Sequence, residues 1–423
     1  MKPSLNTIVV AVGFLTIPLG AGDKPATEAS PRAAAQDTPA SDREAVLLHT
    51  WPDAVPLGFN AQGRLLVFDG DRRVFEAHDL AATNTAVSGW NQAGGGGKVF
   101  GGALSADRQT LATVSEVGRK QSRIQLWNAL TGQMTGPEFA PSDVAHVAFS
   151  PDGKLLAGVV ALEGTVRVWE VATAKLRGSM SLPQPMQVTW IGLQFSPNGR
   201  FLAARNSYAL QIWDVTERRV TGSGDLNFYV AISPDWKLAQ GFALNARAQQ
   251  PPRVRLLDLT DPNRPAPATA LPSDAVGEEE VCVFGPGGRL LTLNRRSRQF
   301  KLWDTANSRL IREAPIAAGH AIRQALSPDA RVMATIEFEP GKGSPLRGDL
   351  RLWDVATGKS LAPARPLPGM FWDWQFAPDS RHLVVAFAQG DDRIGAQVWR
   401  LPAGETPPTA TRAKAAGGSR DAD

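Results

Sequence analysis

The chain has 423 residues, 43% hydrophobic and 20% charged, an ordinary globular composition with ample apolar material for a core. Lys and Arg number 45 against 41 Asp and Glu, so the net charge of +4 does not by itself mark a nucleic-acid binder. One Cys excludes a disulfide framework, a CxxC redox or zinc motif and c-type haem attachment, and five scattered His leave little material for a metal or acid–base centre.

Residues 1–22 have the pattern of an export signal peptide. Lys2 supplies the charged start, Ile8 to Leu19 an unbroken run without charge, and Gly20-Ala21-Gly22 the small residues before cleavage at Asp23. A helix of that run reaches about 18 Å, short of the roughly 30 Å hydrocarbon core, so the mature chain is expected to lack a transmembrane domain. The expected location is periplasmic or extracellular. Residues 23–42 are Ala, Pro, Ser, Thr and charge, which cannot bury enough apolar surface to offset ordering entropy, and are predicted to be a disordered linker. Residues 403–423 have the same character and are predicted to be a disordered tail.

Between them, residues 43–402 carry two short motifs in alternation. The first is a turn that follows a β-like run, as in Phe149-Ser150-Pro151-Asp152-Gly153-Lys154 and Phe195-Ser196-Pro197-Asn198-Gly199-Arg200. Its eight copies begin at Phe59, Leu104, Phe149, Phe195, Ile232, Phe284, Leu326 and Phe376. Pro fixes φ, and Gly or Asn tolerates the positive φ that closes the turn. The second motif is an alternating strand that ends in Trp-Asp or a variant, as in Leu210-Gln211-Ile212-Trp213-Asp214 and Leu350-Arg351-Leu352-Trp353-Asp354. Its key positions are His78, Trp127, Trp169, Trp213, Leu257, Trp303, Trp353 and Trp399, spaced by 42 to 50 residues. Leu-x-Leu-Trp puts apolar side chains on both faces, which suits a strand held between neighbouring sheets. A polar hairpin such as Val355 to Lys359 and a weaker strand follow. One unit is then a four-stranded antiparallel sheet of about 45 residues.

These motifs resemble the WD40-repeat β-propeller family, and with the export segment the chain looks like a bacterial-type exported member. The resemblance implies an all-β fold, a single propeller of eight four-stranded blades, with seven as the alternative if the degenerate first unit does not form one. It also implies a protein-interaction scaffold rather than an enzyme. The family's Gly-His dipeptide survives only as Gly319-His320, so its buried His–Ser/Thr–Asp–Trp network is expected to be largely missing. After Trp399 no fourth strand remains for the last blade, and Arg43 to Thr50 is the expected donor of that outer strand, closing the ring and covering an edge.

The periodic Trp residues read as structural. Four residues before each turn lie Val55, Phe100, Ala145, Ile191, Phe228, Glu280, Ile322 and Trp372, expected near one mouth of a central channel and usable for inter-blade packing or recognition. Several of the loops between second and third strands are long and basic, and another, Glu337 to Asp349, is long and mixed. The basic ones contain Arg119, Lys120 and Arg123, then Arg247 and Arg253, then Arg295, Arg296 and Arg298. The eight such loops together carry +5, against +4 for the whole chain, so the excess charge concentrates on one face. With Trp372, these are the candidate partner-binding residues, for an acidic protein partner of a monomeric chain. An anionic polymer is the alternative ligand, and nucleic acid the less favoured one for an exported chain. No catalytic, metal or cofactor-binding motif is visible. A lactonase- or dehydrogenase-like enzyme would need carboxylates or His converging on the axis, and the candidates, Glu280 and Asp373, are scattered. The five His occupy different repeat positions and are not expected to meet. Cys282 reads as a buried inner-strand residue.

Overall fold

The computed structural model describes residues 44–402, apart from internal stretches of which 183–191, 244–252, 268–279 and 339–347 are the longest. The export segment, linker and tail predicted above lie outside the described residues. All regular elements described are β-strands, arranged in eight antiparallel sheets. The first sheet runs Ala54–Phe59, Leu65–Asp69, Val74–Asp79, Thr85–Asn91 in spatial order, and the third to seventh repeat that order. In the eighth, Met370–Phe376, His382–Gln389 and Arg393–Arg400 are followed on the outside by the N-terminal strand Val46–Trp51. That strand runs antiparallel to its neighbour, with Val46 opposite Arg400 and Trp51 opposite Ala396. The Ala45 N–H adds a bond of 2.9 Å to the Leu361 carbonyl.

The second sheet departs from the expected four strands. It has three, Val99–Leu104, Thr110–Gly118 and Gln121–Asn128. Residues 133–139 run beside its outer edge, but their backbone pairs with it only at two isolated bridges, Trp127 with Met134 and Ile124 with Phe139. Between those bridges Gly136 takes φ +72° and Pro137 has no N–H to donate, so the ladder is interrupted there.

The turn motif folds by local hydrogen bonds. In the Ser-containing copies at Ser105, Ser150, Ser196, Ser233 and Ser327, the hydroxyl donates to the Asp or Asn two residues on, at 2.5–2.7 Å. The same oxygen accepts the backbone N–H five residues on, at 2.9 Å in each. The residue after the acid then enters the left-handed region, as Gly153 and Gly199 do at φ +69° and +70°. Each turn hands an inner strand to its neighbour in a fixed geometry.

Sheets pack face to face through apolar clusters, each shared by consecutive sheets. Val114, Ile124 and Leu126 of the second sheet meet Val147, Leu156 and Trp169 of the third. Val159 and Val168 of the third meet Leu193, Leu202 and Trp213 of the fourth. The sixth and seventh share Leu291, Phe300 and Trp353, and the seventh and eighth share Ile336, Leu352 and Trp399. The eighth also packs on the first, through Val384 and Val398 against Phe59 and Val67. Burying aliphatic and aromatic side chains between neighbouring sheets is the main stabilising contribution, about 1.5–3 kcal/mol per fully buried large side chain before entropy is counted.

Candidate functional site

The first strands of the first, second, third, fourth and eighth sheets, with turn residues of the fifth and sixth, line a channel of about 1020 Å³. Val55, Phe100, Ala145 and Trp372, four of the eight positions predicted to lie at a mouth, line it. They also pack: Val55 is in the cluster between first and second sheets, Trp372 lies against that cluster, and Phe100 lies against the next. Ile191 and the side chains of Phe228, Glu280 and Ile322 lie outside the described residues.

Polar groups reach the same channel. Asp373 follows a register shift in the innermost strand of the eighth sheet, and its Oδ1 accepts the Trp374 N–H at 2.8 Å. One edge of it meets the lumen, but it lies deep in the molecule. Burial pushes its carboxyl up to about 8, against the opposing pull of the Trp374 N–H and the Arg323 guanidinium. Gln194 and His146 also line the wall. At the end where the Ser-Pro-Asp turns gather, the lining includes Pro151, Pro197, Pro234 and Pro378, with Arg108 and Lys237. Cys282 is buried on its inner strand. Among the described residues no three His, Cys, Asp or Glu are grouped as metal ligands.

The periodic Trp side chains are core. Trp127, Trp169, Trp213, Trp303, Trp353 and Trp399 are all buried. The expected loss of the family's Trp network is only partial. The indole N–H groups of Trp127, Trp303 and Trp353 donate to the Thr113, Thr292 and Thr335 hydroxyls at 2.9, 3.4 and 2.8 Å. Those Thr stand on the preceding strand, 11 to 18 residues away, too far for a local motif to reveal.

Of the basic candidates, two have described side chains. Arg123 spends its charge on Glu138, Nε to Oε1 at 3.2 Å. Arg298 is exposed at the tip of the sixth sheet's hairpin, in the left-handed region at φ +54°. The two stand on different sheets. Arg119, Lys120, Arg247, Arg295, Arg296 and the Arg253 side chain lie outside the described residues. Trp372 is on the channel wall and not among the hairpins.

Two His come near each other, against expectation from their repeat positions, on either side of one Trp. The Trp51 ring lies edge-on to both His49 and His78, with centroids 4.5 and 4.9 Å apart. The cause is the N-terminal strand, which carries His49 and Trp51 onto the outer side of the eighth sheet and against the first. His78 Nε2 is also 3.0 Å from Glu76 Oε2. Burial, with the nearby His78, holds the His49 ring below its usual pKa.

Four-stranded sheets that share cores with successive neighbours, and whose first strands line one channel, define a β-propeller. The chain matches the family "WD domain, G-beta repeat" over residues 131–170, the segment that holds the Ser150 turn and Trp169. Among solved structures it resembles the C-terminal WD40 domain of Sif2, with a TM-score of 0.58 and 13% identity over 85% of this chain and 99% of that one. No curated protein sequence matches the chain. The chain therefore carries a WD40 repeat over residues 131–170 and has the fold of a WD40-type β-propeller.

Proposed function

We propose that the protein is an exported, non-catalytic scaffold that holds a protein partner on an eight-bladed ring closed by its N-terminal strand. The observation that carries this reading is the division of labour in the chain. The strands are consumed by packing between sheets, while length and charge vary in the loops at one end. Hydrogen bonds between neighbouring turns put the Ser-Pro-Asp turns together at one end, as in Ala61 N–H to the Arg108 carbonyl and Asp329 N–H to Ser380 Oγ. In an antiparallel sheet the hairpin between second and third strands falls at the opposite end, and the sequence puts Arg and Lys in several of these hairpins. An acidic partner complements that face.

The test is affinity capture from the native extract with the chain beginning at Asp23, at low and high salt, beside the variant with Arg295, Arg296 and Arg298 all changed to Ala. The reading expects a protein retained by the parent, released by salt and lost by the triple variant. A retained partner indifferent to both would move the site to the channel mouth, and capture of no protein would sink the scaffold reading.

A further inference from the structure

Eight turns close through the left-handed region, with Gly there in four of them: at 63, 153 and 199, and at both 287 and 288 in the sixth. In the other four a side chain occupies this unfavourable conformation: Arg108, Trp236, Ala330 and Ser380, at φ +57°, +60°, +58° and +58°. Three of the four have a visible compensation. Trp236 is buried in the core between the fourth and fifth sheets. Ala330 is buried in the core between the sixth and seventh. Ser380 Oγ accepts the Asp329 N–H at 3.0 Å, linking two turns.

Arg108 has none. Its guanidinium is half-buried, and among the described residues it has no hydrogen-bond or ion-pair partner. Burial alone pulls its pKa down, with no carboxylate opposing. Neighbouring Asp107 is occupied by its own turn, taking the Ser105 hydroxyl at 2.5 Å and the Gln109 N–H at 3.0 Å. The side chain lines the channel at the end framed by Phe59, Phe149, Phe195 and the turn prolines. Gln194, only 4% exposed, lines the same channel, and among the described residues its buried Oε1 has no hydrogen-bond partner. Strained backbone, a desolvated cation and an orphaned amide oxygen each cost stability where they stand, and a bound ligand accounts for two of them together.

We propose that the channel binds a small anion, a carboxylate or phosphate on an apolar body, with Arg108 as its charged anchor. The apolar body follows from the aromatic and proline rings that line the same channel. The Gln194 carbonyl oxygen takes a donor such as a hydroxyl on the same ligand. A channel of this volume is at the upper end of the range for small-molecule sites, about 300–1,000 Å³. This site does not depend on the basic hairpins of the opposite end.

Two probes test it, phenyl phosphate and benzoate, titrated calorimetrically into the chain at low salt, with benzyl alcohol as the uncharged control. The expected result is saturable binding of at least one anion, with a dissociation constant on the order of 1 mM or tighter, and none of the alcohol. Arg108→Gln weakens it by about tenfold or more, while Arg219→Gln, at an exposed cation on the outer strand of the fourth sheet, leaves it unchanged. Arg108→Gly separates a ligand role from a structural one: it loses the anion yet raises the thermal midpoint, by about 2 °C, because Gly relieves the turn. No saturable binding by the parent, undiminished binding by both Arg108 variants, or an equal loss in Arg219→Gln would overturn the proposal.

Discussion

Asp373 shows how far the surroundings of one residue can set its chemistry. An Asp in an unfolded chain titrates near 3.9, whereas in the channel wall burial carries it to about 8. Folding therefore takes up a proton between those two values. The stability this group allows is fully present below about pH 4 and falls as pH rises toward 8, because the native state resists ionising the carboxyl. Asp373→Asn keeps the shape without the charge. The variant is expected to match the parent near pH 4 and to exceed it at pH 8, in urea midpoints measured across that range. Parallel pH profiles for the two would contradict the assignment. The residue was visible in the sequence only as one of two scattered carboxylates. Its depth comes from the sheets around it, which no local pattern encodes. Arg108 was hidden for the same reason: a turn with Arg in place of Gly reads as an ordinary surface variation until its guanidinium is found in the channel.

At the scale of elements, the sequence was most informative where the controlling contacts are local. The Ser-Pro-Asp turn closes through bonds two and five residues apart, so its copies could be read directly. The Trp-Asp strand end is similar. Asp214 is fully buried, and burial alone would raise its pKa. The Glu217 and Thr216 N–H groups, with Arg200 Nε at 2.8 Å from Oδ2, outweigh burial and hold the carboxyl below its usual value. Asp214→Ala removes the acceptor from the two hairpin N–H groups and the Arg200 partner together. It should cost about 2–3 kcal/mol, read from urea unfolding, and a loss under half of that would show the hairpin is held by packing instead. Features that need partners from another strand were missed. The Thr that receive the Trp indoles lie beyond the span of either motif. The second sheet lost its fourth strand because Gly136 and Pro137 interrupt an otherwise regular repeat.

For the whole molecule, the arithmetic of the repeat carried most of the information. Counting strands after the last Trp left one place empty, and the apolar segment before the first turn had the length to fill it. In the structure Val46–Trp51 lies against Arg393–Arg400, and the eighth sheet packs on the first. The pairing joins residues from opposite ends of the chain, covers an edge that would otherwise invite aggregation, and brings His49 toward His78. The interaction face was less legible, since charge counted along loops does not say which side chains are already paired, as Arg123 is with Glu138.

The central claim is that the ends of the chain close one ring, and a single cross-link tests it most directly. Val46 and Arg400 are register partners and both are exposed. Antiparallel partners stand with Cα atoms about 4.5–5.5 Å apart, inside the range of about 4.4–6.8 Å that a disulfide spans. With Cys282→Ser as background, the pair Val46→Cys and Arg400→Cys should oxidise within the native monomer. Tying the ends of so long a loop should raise stability by up to about 5 kcal/mol, seen as a higher urea midpoint lost on reduction. Thiols that stay reduced in the native protein, or that bond only between molecules, would show that the N-terminal strand does not close the ring.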